Sequence, residues 1–229
     1  MKLGTIASGV ILMVFSSIAA AQTTQPSVDV GPGMKLRPVG VIDIGDMYVE
    51  VNYYDSKWTI AQQHDKFTPV GNAPATQPSD HVIKGILTTA AGAANYSETV
   101  ESIDGGIKYS AQLTSEKPLD TNELSMAFIL PTKSFGGKQI TVDQQPQALS
   151  MEVPKKGEAR ILEKDSAHEV DLPTPSGTLV ITGNFKFLIQ DDREWGDPRY
   201  SMRLNFTPGS GQIKESKIEL TLKWKATAS

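Results

Sequence analysis

Hydrophobic and polar residues alternate with period two along most of this chain. Alternation of that kind places successive side chains on opposite faces of a strand. The stretch "GVIDIGDMYVEVNYYD" sets Val41 against Ile42, then Met47, Val49, Val51 and Tyr53 on one face. "ELSMAFIL" aligns Leu124, Met126 and Phe128, and "ALSMEV" aligns Leu149, Met151 and Val153. "TLVITGNFKFLIQ" aligns Leu179, Ile181, Phe185, Phe187 and Ile189, with Gly183 where a side chain is missing. "YSMRLNF" turns Tyr200, Met202, Leu204 and Phe206 inward and Ser201, Arg203 and Asn205 outward. "KIELTLKW" repeats the pattern with Ile218, Leu220, Leu222 and Trp224. Short alternating runs punctuated by Gly, Pro, Asn and Asp predict half-buried antiparallel strands.

Helical periodicity is scarce. "AAGAANYSETVE" (90–101) is the best helix candidate, and it lacks a repeating apolar stripe. Roughly a dozen closely spaced strands fit a β-sandwich better than an open sheet. The expectation is an all-β protein: a single antiparallel β-sandwich or jelly-roll-like domain over residues 37–229. Gly183 predicts a bulge or bend where its strand passes between sheets. Trp58 and Trp224 fall in strand-like segments and are expected to pack.

The ends and one internal segment read differently. Residues 1–21 carry Lys2, an apolar run from Leu3 to Ile18 and then Ala19, Ala20 and Ala21, the layout of a cleavable signal peptide. A membrane anchor fits less well, because the run is short for a bilayer span and Ser16 and Ser17 interrupt it. Residues 22–36, with "TTQPSVDVGPG", are expected to form a flexible tether. "VGNAPATQPSD" (70–80) reads as an internal surface loop, since its Pro and small polar residues sustain neither helix nor central strand. The protein is therefore expected to be bacterial, exported and either periplasmic or extracellular.

Composition narrows the chemistry. The 229 residues include no cysteine, so thiol catalysis, zinc–cysteine sites and iron–sulfur clusters are excluded. A formal charge of -4 argues against nucleic acid and anionic membrane surfaces as partners. No G-x-S-x-G, H-E-x-x-H or helical calcium-loop pattern occurs. His64, His81 and His168 each adjoin an acidic residue but lie far apart in sequence, so only the fold could gather them around a metal.

The densest chemistry lies in "IQDDREWGDPRYSMRL" (189–204). Asp191, Asp192, Glu194 and Asp197 place four carboxylates beside Arg193, Trp195 and Arg199. Glycosidase chemistry needs two carboxyls set across a cleft, which neighbours on one loop rarely supply. If the run holds a metal, calcium suits its hard oxygen ligands, through Asp191, Asp192, Glu194 and Asp197. An ion-paired hairpin accounts for the same residues. Trp195 either plugs the core edge or stacks on the C–H face of a sugar, with Asp191, Arg193 and Arg199 reaching its hydroxyls.

"ILPTKSFGGKQITVD", "GTLVITGNFKFLIQDDREWGDPRYSMRLNF" and "KIELTLKW" together resemble a β-sandwich accessory domain of large exported bacterial glycoside hydrolases. The resemblance runs over about residues 81–225 and rests on Gln190, Asp191, Arg193, Trp195, Gly196, Tyr200, Arg203 and Leu204. It implies a link to polysaccharide metabolism. In those hydrolases the domain resembled precedes a catalytic barrel, and with no barrel expected after the last predicted strand the resemblance does not imply catalysis. Two functions are carried forward. One is a non-catalytic exported module binding carbohydrate or an envelope glycan, without cofactor. The other is a structural or protein-interaction protein of the cell envelope with no small-molecule site. A small sugar-active enzyme is the minor third, and it requires His, Tyr or carboxylates gathered from several strands.

Overall fold

Period-two alternation becomes antiparallel pairing over almost the whole chain. The structure is a computed structural model that describes residues 27–70, 80–174, 177–207 and 209–225. The expected signal peptide, the start of the expected tether and nearly all of the 70–80 loop lie outside those residues. The strands are β1 (Val28–Gly31), β2 (Met34–Leu36), β3 (Ile42–Ile44), β4 (Met47–Asp55), β5 (Ile60–Gln62), β6 (Phe67–Pro69), β7 (Asp80–Thr89) and β8 (Gly92–Ile103). They continue as β9 (Gly106–Pro131), β10 (Gln139–Val142), β11 (Gln145–Ala148), β12 (Arg160–Thr174), β13 (Gly177–Asp191), β14 (Arg199–Asn205) and β15 (Gly211–Lys225). Two one-turn helices, α1 (Gln63–Lys66) and α2 (Thr132–Phe135), and a 3-10 turn (Asp192–Trp195) complete the described residues.

The sheet closes because two long strands change neighbours. β9 pairs with β8 and β15 in its first half, then with β4 and β14 in its second. β13 keeps β12 on one side throughout, but exchanges β15 (partners of Thr178–Gly183) for β14 (partners of Lys186–Asp191) on the other. The ring β9–β15–β13–β14–β9 is thereby complete, which gives the antiparallel sheet a barrel-like closure. Gly183 sits where β13 changes partner, next to a register shift against β12. The expected bulge or bend appears there as that register shift and change of partner. Its cause is close approach: a Cβ at Gly183 would lie 2.6 Å from Leu220 Cδ2 and 2.9 Å from the Glu219 carbonyl.

The inward phases meet in one core. Tyr53, Phe128, Phe187, Tyr200, Met202, Leu204 and Leu222 are all fully buried in it. Four expectations need correction. Residues 28–36 are not tether: Val30, Met34 and Leu36 are buried, and Pro32–Gly33 turns β1 onto β2. The helix candidate at 90–101 is largely β8, with Ala94, Tyr96, Glu98 and Val100 inward. "ALSMEV" leaves the sheet after Ala148, the last residue of β11, and only Leu149 is buried while Met151 and Val153 are exposed. Trp58 does not pack into a strand but stands exposed in the β4–β5 turn at φ 64°. Trp224 does pack against the core. Among the described residues no helix is long and apolar enough to cross a membrane.

Gly183→Val is expected to lower stability by about 1–3 kcal/mol through overpacking against β15. The urea midpoint reads it. An unchanged midpoint would show that β13 and β15 do not approach tightly there.

Candidate functional site

The acidic run forms the connection between β13 and β14, and its geometry starts from one buried carboxylate. Asp191 is the last residue of β13 and caps the 3-10 turn, accepting from the Arg193 N–H at 3.1 Å. Arg193 returns a forked pair of hydrogen bonds, Nε to Asp191 Oδ1 at 2.9 Å and Nη2 to Oδ2 at 2.6 Å. The remaining guanidinium hydrogens reach the carbonyls of Ser150, Met151 and Glu152 at 2.8–2.9 Å. Tyr200 donates to the Ser150 carbonyl at 2.5 Å from below the same guanidinium. This is why "ALSMEV" leaves the strand pattern: its carbonyls serve Arg193 instead of a ladder. Donating to the Asp191 carboxylate holds Arg193 still more firmly in its charged form.

The other carboxylates are engaged as well. Glu194 accepts from the backbone N–H groups of Gly157 and Ala159 at 2.9 and 3.0 Å. Asp192 accepts from Arg199 Nε at 3.1 Å and from the Ser201 hydroxyl. Asp197 pairs with Arg199 Nη2 at 3.0 Å, and Gly196 at φ 86° lets the chain leave the turn. The four residues named as calcium ligands thus each have partners within the chain, Asp192 and Asp197 sharing Arg199. Among the described residues, no group of three or more His, Asp or Glu is arranged to hold a metal ion. The three histidines are not gathered either: His81 is buried in the core, His168 lies on β12, and His64 pairs with Glu50.

Of the expected contact residues, Asp191 is 2% exposed and lies beneath the turn rather than facing solvent. Arg193 is also mostly covered. Trp195 is 63% exposed, so it does not plug the core edge. Arg199, partly exposed, pairs with Asp197 on the same connection.

Sequence reasoning missed the outer face of β4, β9 and β14. Ser201 and Arg203 point outward as expected, yet both are buried, as are Glu50, Asn52, Glu123 and Ser125 on neighbouring strands. Arg203 meets Glu123 at 3.4 Å, lies 5.1 Å over the Tyr54 ring and bonds Gln190. The His64 ring bonds Glu50 at 2.5 Å and stands edge-on to Tyr48, over which Arg37 lies. Burial raises the Tyr48 phenol, with Glu50 adding to the shift and Arg199 opposing it. Arg199 and Asp197, on the same connection as Trp195, thus act electrostatically on this aromatic and charged face at Tyr48. The available signal was a polar phase of β4 reading Tyr48, Glu50, Asn52 and Tyr54, residue types that rarely coincide on a plain solvent face.

Two further features were invisible in sequence. A shallow trough of about 420 Å³ crosses β8, β9, β15 and β13, lined by Thr99, Ser110, Thr182 and Thr221. Tyr109 is its one aromatic neighbour and is turned into the core, so the trough offers no stacking surface. Inside the core, Gln63 donates to Glu98 at 2.9 Å and to the Val39 carbonyl at 2.8 Å, and accepts from the Val51 N–H. Tyr96 donates to Glu98 at 3.0 Å and meets Tyr109 at 3.1 Å. Burial lifts Glu98 to about 8, against the hydrogen bonds from Gln63 and Tyr96 that pull it down.

A scan against known family models matches none of them, and a search of curated proteins returns no similar sequence.

Two expectations follow from this geometry. Asp191→Ala should cost about 3–5 kcal/mol, because it strands a mostly buried guanidinium; a loss near zero in chemical denaturation would remove Asp191 as the anchor of the turn. Glu98 is protonated in the folded chain over a window where the unfolded chain has lost the proton. Stability from this group is therefore full below about pH 4.5, falls as pH rises, and is lost by about pH 8. Glu98→Gln should flatten that slope relative to the parent in melts across the window. Parallel pH profiles for the two proteins would refute the assignment.

Proposed function

We propose that this protein is an exported, non-catalytic β-sandwich-type module, jelly-roll-like in outline, that binds carbohydrate or an envelope glycan through Trp195. The observation that carries the reading is an exposed indole on a turn that the structure otherwise holds rigidly. Asp191, Arg193 and Glu194 fix that turn with hydrogen bonds to one another and to two further segments, 150–152 and 157–159. An exposed tryptophan gains nothing from such fixing in water, but a preorganised aromatic face loses less entropy when it stacks on a sugar ring. Arg199 and Asp197, on the same connection, are the polar partners for hydroxyls, while Asp191 and Arg193 act as positioning residues beneath. The resemblance to accessory domains of exported glycoside hydrolases agrees with this role.

The second reading is a structural or protein-interaction protein of the cell envelope. Its specific support is that every carboxylate of the turn has a partner within the chain.

Trp195→Ala decides between them. Its melting temperature should stay within about a degree or two of the parent, since the ring is largely solvated. Retention in polysaccharide affinity gels should fall to background. Retention of the parent on no polysaccharide and on no glycan of an array would leave the second reading standing.

A further inference from the structure

A separate cavity of about 170 Å³ lies where the β3–β4 turn meets α2 and the end of β15. Trp224 and Phe135 supply aromatic walls, and Lys138, Ser134 and Asp46 supply the polar ones. Phe135 is buried and Trp224 is held by its indole N–H, which donates to the Pro32 carbonyl. The apolar walls are therefore fixed before any ligand arrives. Gly45, in the β3–β4 turn, also lines the cavity, and a Cβ there would meet nothing within 4 Å.

The polar groups differ in what they leave free. Ser134 donates to Asp46 at 2.5 Å, which occupies one carboxylate oxygen and leaves the other as an acceptor. Lys138 forms no ion pair among the described residues; its ammonium lies 5.4 Å from the Phe135 ring centroid. An ammonium held at an aromatic rim without a carboxylate partner is a receptor for an anion. The volume suits one six-membered ring with its substituents, at roughly ten to fifteen heavy atoms. A planar hydrocarbon ring would use the walls but leave Asp46 and Ser134 unanswered. A pyranose answers both, with C–H faces toward Trp224 and hydroxyls toward Asp46 and Ser134.

We propose that this cavity binds a single uronic acid residue, a pyranose whose carboxylate pairs with Lys138 while its ring packs against Trp224. The choice of sugar rests on the carbohydrate reading above, but the site does not include Trp195. The binding face and the cavity can therefore fail independently.

Nitrogen–proton NMR of the full chain tests this, with glucuronate, methyl glucoside and benzoate added in turn up to about 20 mM, a range that detects millimolar affinity. The expected result is that glucuronate shifts the Gly45 and Lys138 amides and the Trp224 indole, in the parent and in Trp195→Ala alike. Lys138→Gln should weaken that binding about tenfold or more, as loss of a charge-assisted hydrogen bond does. Equal response to methyl glucoside and glucuronate, unaffected by Lys138→Gln, would overturn the acidic assignment. Saturation by benzoate without response to either sugar would overturn the sugar. Silence at all three reporters would overturn the site. Retention on polysaccharide lost in Trp195→Ala, with the Gly45 response intact, would separate the two surfaces.

Discussion

β9 and β13 each spend half their length bonded to one set of neighbours and half to another, and the closure of the sheet depends on that exchange. A strand interior carries a donor and an acceptor at every residue, and burial leaves no water to satisfy those that lose a partner. β15 and β14 must therefore take over from one another along β13, as β8 and β15 give way to β4 and β14 along β9. The crossing is crowded. Gly183 marks it on β13, where a Cβ would fall 2.9 Å from the Glu219 carbonyl of β15. The end of β13 is set by the same geometry, and Asp191 inherits its place there.

Around that frame the polar groups divide into two kinds of work. Asp191 and Arg193 lie at a rim, where a charged pair can satisfy several backbone carbonyls and so order a loop that has no ladder. Glu98, Gln63, Tyr96 and Tyr109 lie inside, where a neutral acid, an amide and two phenols join β4 and α1 to β8 and β9 across the core. Gly40 belongs to this seam: a Cβ there would fall 2.1 Å from Glu98 and 2.3 Å from Gln63. Neither arrangement is the least costly way to fill space, since apolar packing of equal volume often stabilises as well. Both fix which segment meets which. That is the property a rigid exposed aromatic needs from its scaffold.

The acidic run was readable as a connection between two core strands, because Phe185, Phe187 and Ile189 precede it in phase and Tyr200, Met202 and Leu204 follow. Its inner wiring was not readable. Arg193 reaches residues 150–152, and Glu194 reaches 157 and 159, across forty and thirty-odd positions of chain. Local spacing carries no record of such contacts. The start of the folded region was misplaced for a related reason: Pro32 and Gly33 resemble linker composition, yet a two-residue hairpin turn uses the same residues.

Alternation alone determined that the chain forms antiparallel strands and which residues face the core on the main strands. It could do so because side-chain facing depends only on odd or even position. Which strands become neighbours, and what covers the second face of each, was decided by the tertiary structure. Ser201 and Arg203 carry the same polar signal whether they meet water or lie under Tyr54, Glu123 and Gln190. Trp58, Trp195 and Trp224 are one residue type, and only the assembled surface leaves two of them in solvent and the third as the wall of a cavity. Those outcomes depend on segments far apart in sequence, and the pattern of any single segment is blind to them.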